Sequence, residues 1–71
     1  MLKELREGKG ITKTFVANKL NISRDRMGRI ESGEVTLPAE FVPVLAKLYN
    51  TNYNDIIEWR VKEWEKQKKS L

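Results

Sequence analysis

Three arginines within six positions, Arg24, Arg26 and Arg29, are the residues whose type and spacing best predict chemistry in this sequence. A guanidinium can donate paired hydrogen bonds to phosphate oxygens or to the O6 and N7 atoms of guanine. The chain has no Cys and no His, which excludes disulfides, thiolate or imidazole metal sites and histidine-based catalysis. We therefore expect a binding function based on charge and hydrogen bonding, with no catalytic residue, no metal and no cofactor.

The charge of the chain is unevenly distributed. Fourteen Lys and Arg against ten Asp and Glu give a net charge of +4. Residues 1–34 carry eight cations and five anions, residues 35–58 one and three, and residues 59–71 five and two. A basic block on a helix suits phosphate binding, and a solvated helix face is the alternative interpretation at this point.

The length of the chain limits its architecture. Seventy-one residues suffice for one small domain, so we expect residues 1–71 to form a single domain. No apolar run approaches the roughly 18 residues of a membrane span, and the first residues lack the apolar stretch of a signal peptide. We accordingly expect a soluble, cytoplasmic protein with no membrane partner.

Capping residues predict two consecutive helices in the first half of the chain. Thr12 is a suitable N-cap for a helix over residues 13–20, and Ser23 is one for a helix over residues 24–31. Asn21 stands between them, where the chain must turn. After Gly, Asn is the residue that best tolerates the left-handed conformation that such a turn requires.

Three further helices are predicted, over residues 2–7, from about residue 42 to residue 49, and from residue 53 to about residue 68. Pro43 decides where the second of these begins, because in the interior of a helix begun at Pro38 it would cost about 3 kcal/mol. A start near Val42 places Pro43 in the first turn, where its missing N–H is harmless. Asn52, with Asp55 three residues later, resembles a capping box that opens the last helix.

Helical spacing also predicts an apolar stripe on the last helix, formed by Tyr53, Ile57, Val61 and Trp64. Ile56 flanks this stripe, and Trp59 lies well away from it. We expect Trp64 to complete the core against Leu2 and Leu5. Trp59 would then be available to a second subunit or a partner protein, and packing of both indoles within the monomer is the alternative.

Residues 12–33 have the pattern of a helix-turn-helix. This motif needs a small residue where its helices cross, a left-handed residue in the turn and apolar residues at later offsets. The sequence supplies them in register as Val16, Ala17, Leu20, Asn21, Ile22, Met27 and Ile30. The segment from Ile11 to Gly33 resembles the Cro/C1-type helix-turn-helix family of phage repressors and related bacterial regulators. The likeness includes Arg6 and residues 41–46 and covers about residues 2–57.

This resemblance implies an all-α, five-helix, lambda-repressor-like DNA-binding domain, here with an extended C-terminal helix. Two positions depart from the family pattern. Asn21 stands where the family usually has Gly, which keeps the turn. Lys13 stands where the family often has Gln, which exchanges a neutral phosphate donor for a charged one and should increase the salt dependence of DNA binding.

The resemblance and the helical spacing together imply how the helix from Arg24 would meet DNA. Helical spacing places Asp25, Gly28 and Arg29 on the side of this helix opposite the apolar residues, with Arg24 and Arg26 at the flanks of that face. The base-reading positions of the family map onto Arg24, Asp25 and Arg29. We expect base contacts from Arg24, Asp25, Gly28 and Arg29, and phosphate contacts from Thr12, Lys13, Arg26 and Ser32.

Several of these residues have a second interpretation. Asp25 can accept a hydrogen bond from cytosine, or it can orient Arg29 one helical turn away, which we favour. Gly28 can allow a closer approach to the groove, or it can be a tolerated neutral change. Ser23 is better explained as a cap than as a base contact. In the family Arg6 and Glu31 form a structural ion pair.

These observations predict a sequence-specific regulator of transcription that binds double-stranded DNA. We expect a repressor of the kind carried by phages or mobile elements, acting as a homodimer on an inverted repeat with half-sites about 10 base pairs apart. The alternative is an antitoxin or interaction module that binds a partner protein through its C-terminal helix. The scattered carboxylates form no candidate catalytic site, so we do not expect an enzyme.

Overall fold

The computed structural model describes the backbone of residues 1–69 and the side chains of residues 1–66, and this part of the chain contains helices, turns and loops but no strand. The elements are α1 (Leu2–Gly8), α2 (Lys13–Leu20), α3 (Arg24–Ser32), a 3₁₀ turn (Ala39–Phe41), α4 (Val42–Tyr49) and α5 (Tyr53–Lys69). The prediction of an all-α fold with five helices is confirmed. No described helix is both long enough and apolar enough to cross a membrane.

The chain forms two compact units, Met1–Val35 and the residues from Thr36 onward. In the first unit, local side chains define the helix ends as predicted. The Thr12 Oγ1 atom accepts a hydrogen bond from the Phe15 N–H at 3.1 Å, and the Ser23 Oγ atom accepts one from the Arg26 N–H at 3.1 Å. Asn21 ends α2 in the left-handed conformation, with φ of +58°.

The core of the first unit lies where α2 and α3 contact each other. Its buried apolar residues are Leu2, Val16, Ala17, Leu20, Met27 and Ile30. Burying each of the larger side chains contributes about 1.5–3 kcal/mol, so this cluster holds α2 and α3 together. Helical spacing predicted the same inward positions on α3, because Met27 and Ile30 are three residues apart on one helix face.

The second unit contains the 3₁₀ turn, α4 and α5. Helix α4 begins at Val42 with Pro43 in its first turn, as predicted, and ends at Asn50, which has φ of +51°. Sequence reasoning did not predict this second left-handed asparagine. The Asn52 Oδ1 atom accepts a hydrogen bond from the Asn54 N–H at 2.8 Å and so caps the start of α5.

The core of the second unit forms where α4 contacts α5 and the 3₁₀ turn. Its buried residues are Leu37, Val42, Leu45, Ala46, Tyr49 and Ile56. The Arg60 Nε atom donates a hydrogen bond to the Leu37 carbonyl oxygen at 2.6 Å. This contact ties α5 to the segment that precedes the 3₁₀ turn.

One prediction about α5 is wrong. Trp64 was expected to complete the core, yet it is 51% exposed, and Trp59 is the more buried of the two tryptophans. The physical reason is which sector of α5 faces the core. Ile56 is fully buried, whereas the stripe that begins with Tyr53 lies on a neighbouring sector of the helix and is exposed.

Candidate nucleic-acid interface

Helix α3 presents its charged side chains on one side and its apolar side chains on the other. Arg24, Asp25, Arg26 and Arg29 are exposed, and Gly28 is partly exposed. Among the described residues none of the three arginines takes part in a salt bridge. Their guanidinium groups therefore remain available as hydrogen-bond donors to an external acceptor.

Lys13 approaches the middle of α3. A Cβ atom added at Gly28 would lie 3.6 Å from the Lys13 Nζ atom and 3.8 Å from its Cδ atom. The lysine side chain therefore extends over the space that the glycine leaves free, and its ammonium group lies at the edge of the α3 face. Sequence reasoning singled out both residues but did not predict that they meet.

Ser32 and Asp25, two residues predicted to contact DNA, differ from expectation in the contacts they make within α3. The Ser32 hydroxyl donates a hydrogen bond to the Arg29 carbonyl oxygen at 3.0 Å, so its proton is used within α3. Among the described side chains, Asp25 forms no salt bridge with Arg29, and the orienting contact favoured from their spacing is not formed in this structure. Asp25 lies in the first turn of α3, where a negative charge is favoured by the helix dipole.

The hydroxyl groups at the starts of α2 and α3 form the same kind of hydrogen bond. Thr12 and Ser23 each use an oxygen lone pair to accept a backbone N–H inside the helix. Each hydroxyl keeps its own proton to donate outward, and both side chains are exposed. Such a group can cap the helix and contact an anion at the same time.

Arg6 and Glu31, the expected ion pair, lie together. The Arg6 Nε atom is 2.7 Å from Glu31 Oε2, and Arg6 Nη2 is 3.3 Å from Glu31 Oε1. Arg6 Nη1 also donates to the Ile11 carbonyl oxygen at 2.8 Å. The two side chains are only 8% and 5% exposed, so α1, the loop before α2 and α3 are joined by a pair almost closed to water.

An exposed aromatic side chain near the start of α2 was not predicted. Phe15 is 46% exposed, and the Lys19 Nζ atom lies 5.3 Å from the centre of its ring, within the range of a cation–π contact. Phe15 comes directly before the buried pair Val16 and Ala17, and this position in the sequence could have predicted that its ring is exposed. Within the described part of the chain, acidic side chains do not cluster in the groups of three or more that could hold a metal ion.

Comparison with known proteins agrees with this geometry. A family model described as a helix-turn-helix domain matches residues 1–56, which include α1 to α4 and the start of α5. No curated protein and no solved structure shows a significant match to the chain. The match confirms the resemblance to Cro/C1-type regulators, a class of DNA-binding domains that are typically not enzymes. The chain therefore belongs to the helix-turn-helix domain family.

Proposed function

We propose that this DNA-binding helix-turn-helix protein is a sequence-specific regulator of transcription, and that it represses genes of a phage or mobile element. The single observation that carries the proposal is the exposed face of α3. Three exposed guanidinium groups, which form no salt bridge within the described part of the chain, project from a helix that the Arg6–Glu31 pair and the apolar core hold in place. A helix presented in this way fits the major groove of B-form DNA.

The proposed contacts divide into two groups. Arg24, Asp25, Gly28 and Arg29 read bases, while Thr12, Lys13 and Arg26 contact phosphates. Ser32 joins the second group when its hydroxyl rotates away from the Arg29 carbonyl oxygen, because a phosphate needs its single proton. Arginine favours guanine because its fork of donors matches O6 and N7, so we expect G·C pairs where Arg24 and Arg29 reach the groove. Phosphate contacts orient the domain without reading sequence.

The proposal includes a homodimer on DNA. One helix-turn-helix contacts few base pairs, and a two-fold dimer on an inverted repeat doubles the number read. A dimer with roughly 6–10 phosphate contacts would lose about 10³–10⁵ in affinity between 50 and 200 mM salt. The charged Lys13, partly exposed beside Gly28, would contribute to that dependence.

Selection of bound duplexes from a random pool tests this function. The full chain should enrich an inverted repeat with G·C pairs at fixed positions in each half. Absence of any enriched sequence at low salt would overturn sequence-specific binding.

Substitutions on the enriched site then assign the roles. Arg29→Ala should weaken binding by about 5- to 150-fold and relax the preference at one base position, since one bidentate contact discriminates by about 1–3 kcal/mol. Arg26→Ala should weaken binding to all sequences alike. Lys47→Ala removes an exposed cation from α4 and is the matched control, which should leave base preference unchanged.

A second candidate function is favoured by a separate observation. The apolar stripe on α5, which comprises Tyr53, Ile57, Val61 and Trp64, is exposed along its whole length. A face of this kind would suit an antitoxin or interaction module that holds a partner protein through its C-terminal helix. Trp59, the residue expected to make such a contact, is partly buried and is the weaker candidate for it. Stable capture of a different protein by this face, with no binding of DNA, would favour this function.

A further inference from the structure

The outer face of α3 lacks a side chain at its middle residue. Gly28 lies three residues after Asp25 and directly before Arg29, and both of these charged residues are exposed. Glycine is disfavoured relative to alanine in the interior of a helix. We call the space that its missing side chain leaves the Gly28 gap. This gap lies in the face that is proposed to read bases.

Lys13, the first residue of α2, extends into the Gly28 gap. Its Nζ and Cδ atoms would lie 3.6 and 3.8 Å from a Cβ atom of residue 28, which is ordinary van der Waals distance. The stem of the lysine therefore runs beside the bare backbone of Gly28, and Lys13 is only partly exposed. The ammonium group lies within the space that a longer side chain at position 28 would use.

The charge of Lys13 is not neutralised within the described part of the chain. Lys13 takes part in no salt bridge there, and Asp25, on the same face of α3 as Gly28, forms no ion pair with it. Residues 8–24 contain no Asp or Glu, so the sequence neighbours of Lys13 offer no carboxylate either. An ammonium has three N–H donors and no acceptor. These donors are therefore available to acceptors outside the protein.

The position of the ammonium favours base edges over phosphates as its acceptors. An α-helix with its side chains is about 10–12 Å across and fills the major groove, which is about 12 Å wide. A donor beside the middle of the outer face of α3 therefore comes close to base edges. Guanine presents O6 and N7 there, and lysine is one of the two residue types that bind this pair of acceptors most often. A contact with phosphate would require Lys13 to leave the Gly28 gap.

We infer that Lys13 reads a guanine in each half-site through the Gly28 gap, so that α2 as well as α3 contributes to base recognition. The inference rests on the proposed function, within which it moves Lys13 from the phosphate contacts to the base contacts. Gly28 contributes by leaving space for the lysine. Packing of the stem against Gly28 restricts the side chain before DNA binds, which lowers the entropy cost of the contact.

Selection of bound duplexes by a Lys13→Met protein tests the base contact. Methionine keeps an unbranched stem beside Gly28 and removes the three N–H donors. The variant should lose the preference for guanine at one position of each half-site and bind the selected site about 5- to 150-fold more weakly. That position should differ from those affected by Arg24→Ala and Arg29→Ala.

Lys19→Met is the matched control for this selection. It removes one exposed positive charge from the same helix, so it changes the net charge equally and should leave every base preference unchanged. Circular dichroism should give the wild-type helix content for both variants. Loss of the same preference in the control would overturn the inference, because the effect would then belong to the charge of α2 as a whole.

A modified base tests whether Lys13 contacts the guanine itself. In 7-deazaguanine the N7 acceptor is absent, and pairing with cytosine is retained. This base, placed where Lys13→Met loses its preference, should weaken binding of the wild type and have little further effect on Lys13→Met, because two partners in contact give non-additive effects. Equal weakening of both proteins would overturn the inference.

Substitution of Gly28 tests the route that the lysine takes. Gly28→Leu introduces a good helix former whose side chain would occupy the space that Lys13 now uses, so it should relax the same base position as Lys13→Met. Gly28→Ala adds only a Cβ atom at ordinary contact distance from Lys13 and should keep that preference. Wild-type preference at every position in Gly28→Leu would overturn the inference.

Salt titration separates failure of this inference from failure of the proposed function. If Lys13 contacted a phosphate, Lys13→Met would weaken binding to all sequences alike and reduce the slope of log affinity against log salt by about 1. That result, with all base preferences retained, would overturn the inference and leave the regulator function intact. A wild type that enriches no sequence at low salt would instead overturn the proposed function.

Discussion

Removal of the Arg6 guanidinium should destabilise the first unit more than any surface substitution. Arg6→Ala would leave the Glu31 carboxylate, which is 5% exposed, without its ionic partner. Breaking a buried ion pair in this way costs about 3–5 kcal/mol, because the remaining charge is neither solvated nor paired. The Ile11 carbonyl oxygen would also lose the hydrogen bond that it now accepts at 2.8 Å.

This cost is comparable to the whole stability of a chain of this size. A single core in a domain of this length rarely supplies more than about 3–5 kcal/mol. At about 4–8 °C per kcal/mol, Arg6→Ala should lower the melting temperature by at least about 12 °C or leave the first unit unfolded at 25 °C. Urea titration followed by circular dichroism measures the loss.

Two companion variants make the Arg6 experiment decisive. Lys3→Ala removes an exposed cation from the same helix and should change stability by less than about 0.5 kcal/mol. Adding Glu31→Gln to Arg6→Ala neutralises the unpaired charge and should recover part of the lost stability. A cost below about 1 kcal/mol for Arg6→Ala, or no recovery in the double variant, would refute the buried-charge reasoning.

Three further substitutions give distinct outcomes. Gly28→Ala should raise the free energy of unfolding by up to about 1 kcal/mol, because its Cβ would make only an ordinary contact with Lys13. The same variant should bind the selected operator more weakly, and unchanged affinity would reject the close approach of Gly28 to DNA. Asn21→Ala should cost about 1–2 kcal/mol in a thermal melt, because φ is +58°, whereas Asn21→Gly should be nearly neutral. Ser23→Ala should cost about 1 kcal/mol from the lost cap, and a changed base preference in the duplex selection would reject the capping interpretation.

Much of the helix-turn-helix could be predicted because its signals are local. A cap such as Thr12 acts on an N–H three residues away, and the αL conformation at Asn21 depends on that residue and on backbone hydrogen bonds to carbonyls up to five residues earlier. The candidate α3 face was predicted for the same reason, because the buried positions Met27 and Ile30 define it by spacing. Asn50 was missed although its signal is the same as that of Asn21.

Most contacts that the sequence did not predict join residues that are distant in sequence. Lys13 meets Gly28 because α2 and α3 cross, and their helical spacing alone does not define how the side chains lie at the crossing. Ser32 is the exception, because its hydroxyl donates to the Arg29 carbonyl oxygen only three residues away, and the side-chain rotamer determines that contact. The Arg60 contact with the Leu37 carbonyl needs the loop before the 3₁₀ turn to be in place, so nothing near Arg60 in the sequence indicated it.

The sequence by itself determined the helices, their caps and turns, the family of the chain and the charged face of α3. Each of these depends on interactions within about four residues or on a pattern that repeats with the helix. Only the tertiary structure decided which sector of α5 is buried. That helix carries apolar side chains on two neighbouring sectors, at Ile56 and at the apolar stripe of Tyr53, Ile57, Val61 and Trp64, and either could have faced the core by its own spacing. In the folded chain Ile56 is buried in the core, and the stripe that ends at Trp64 is exposed.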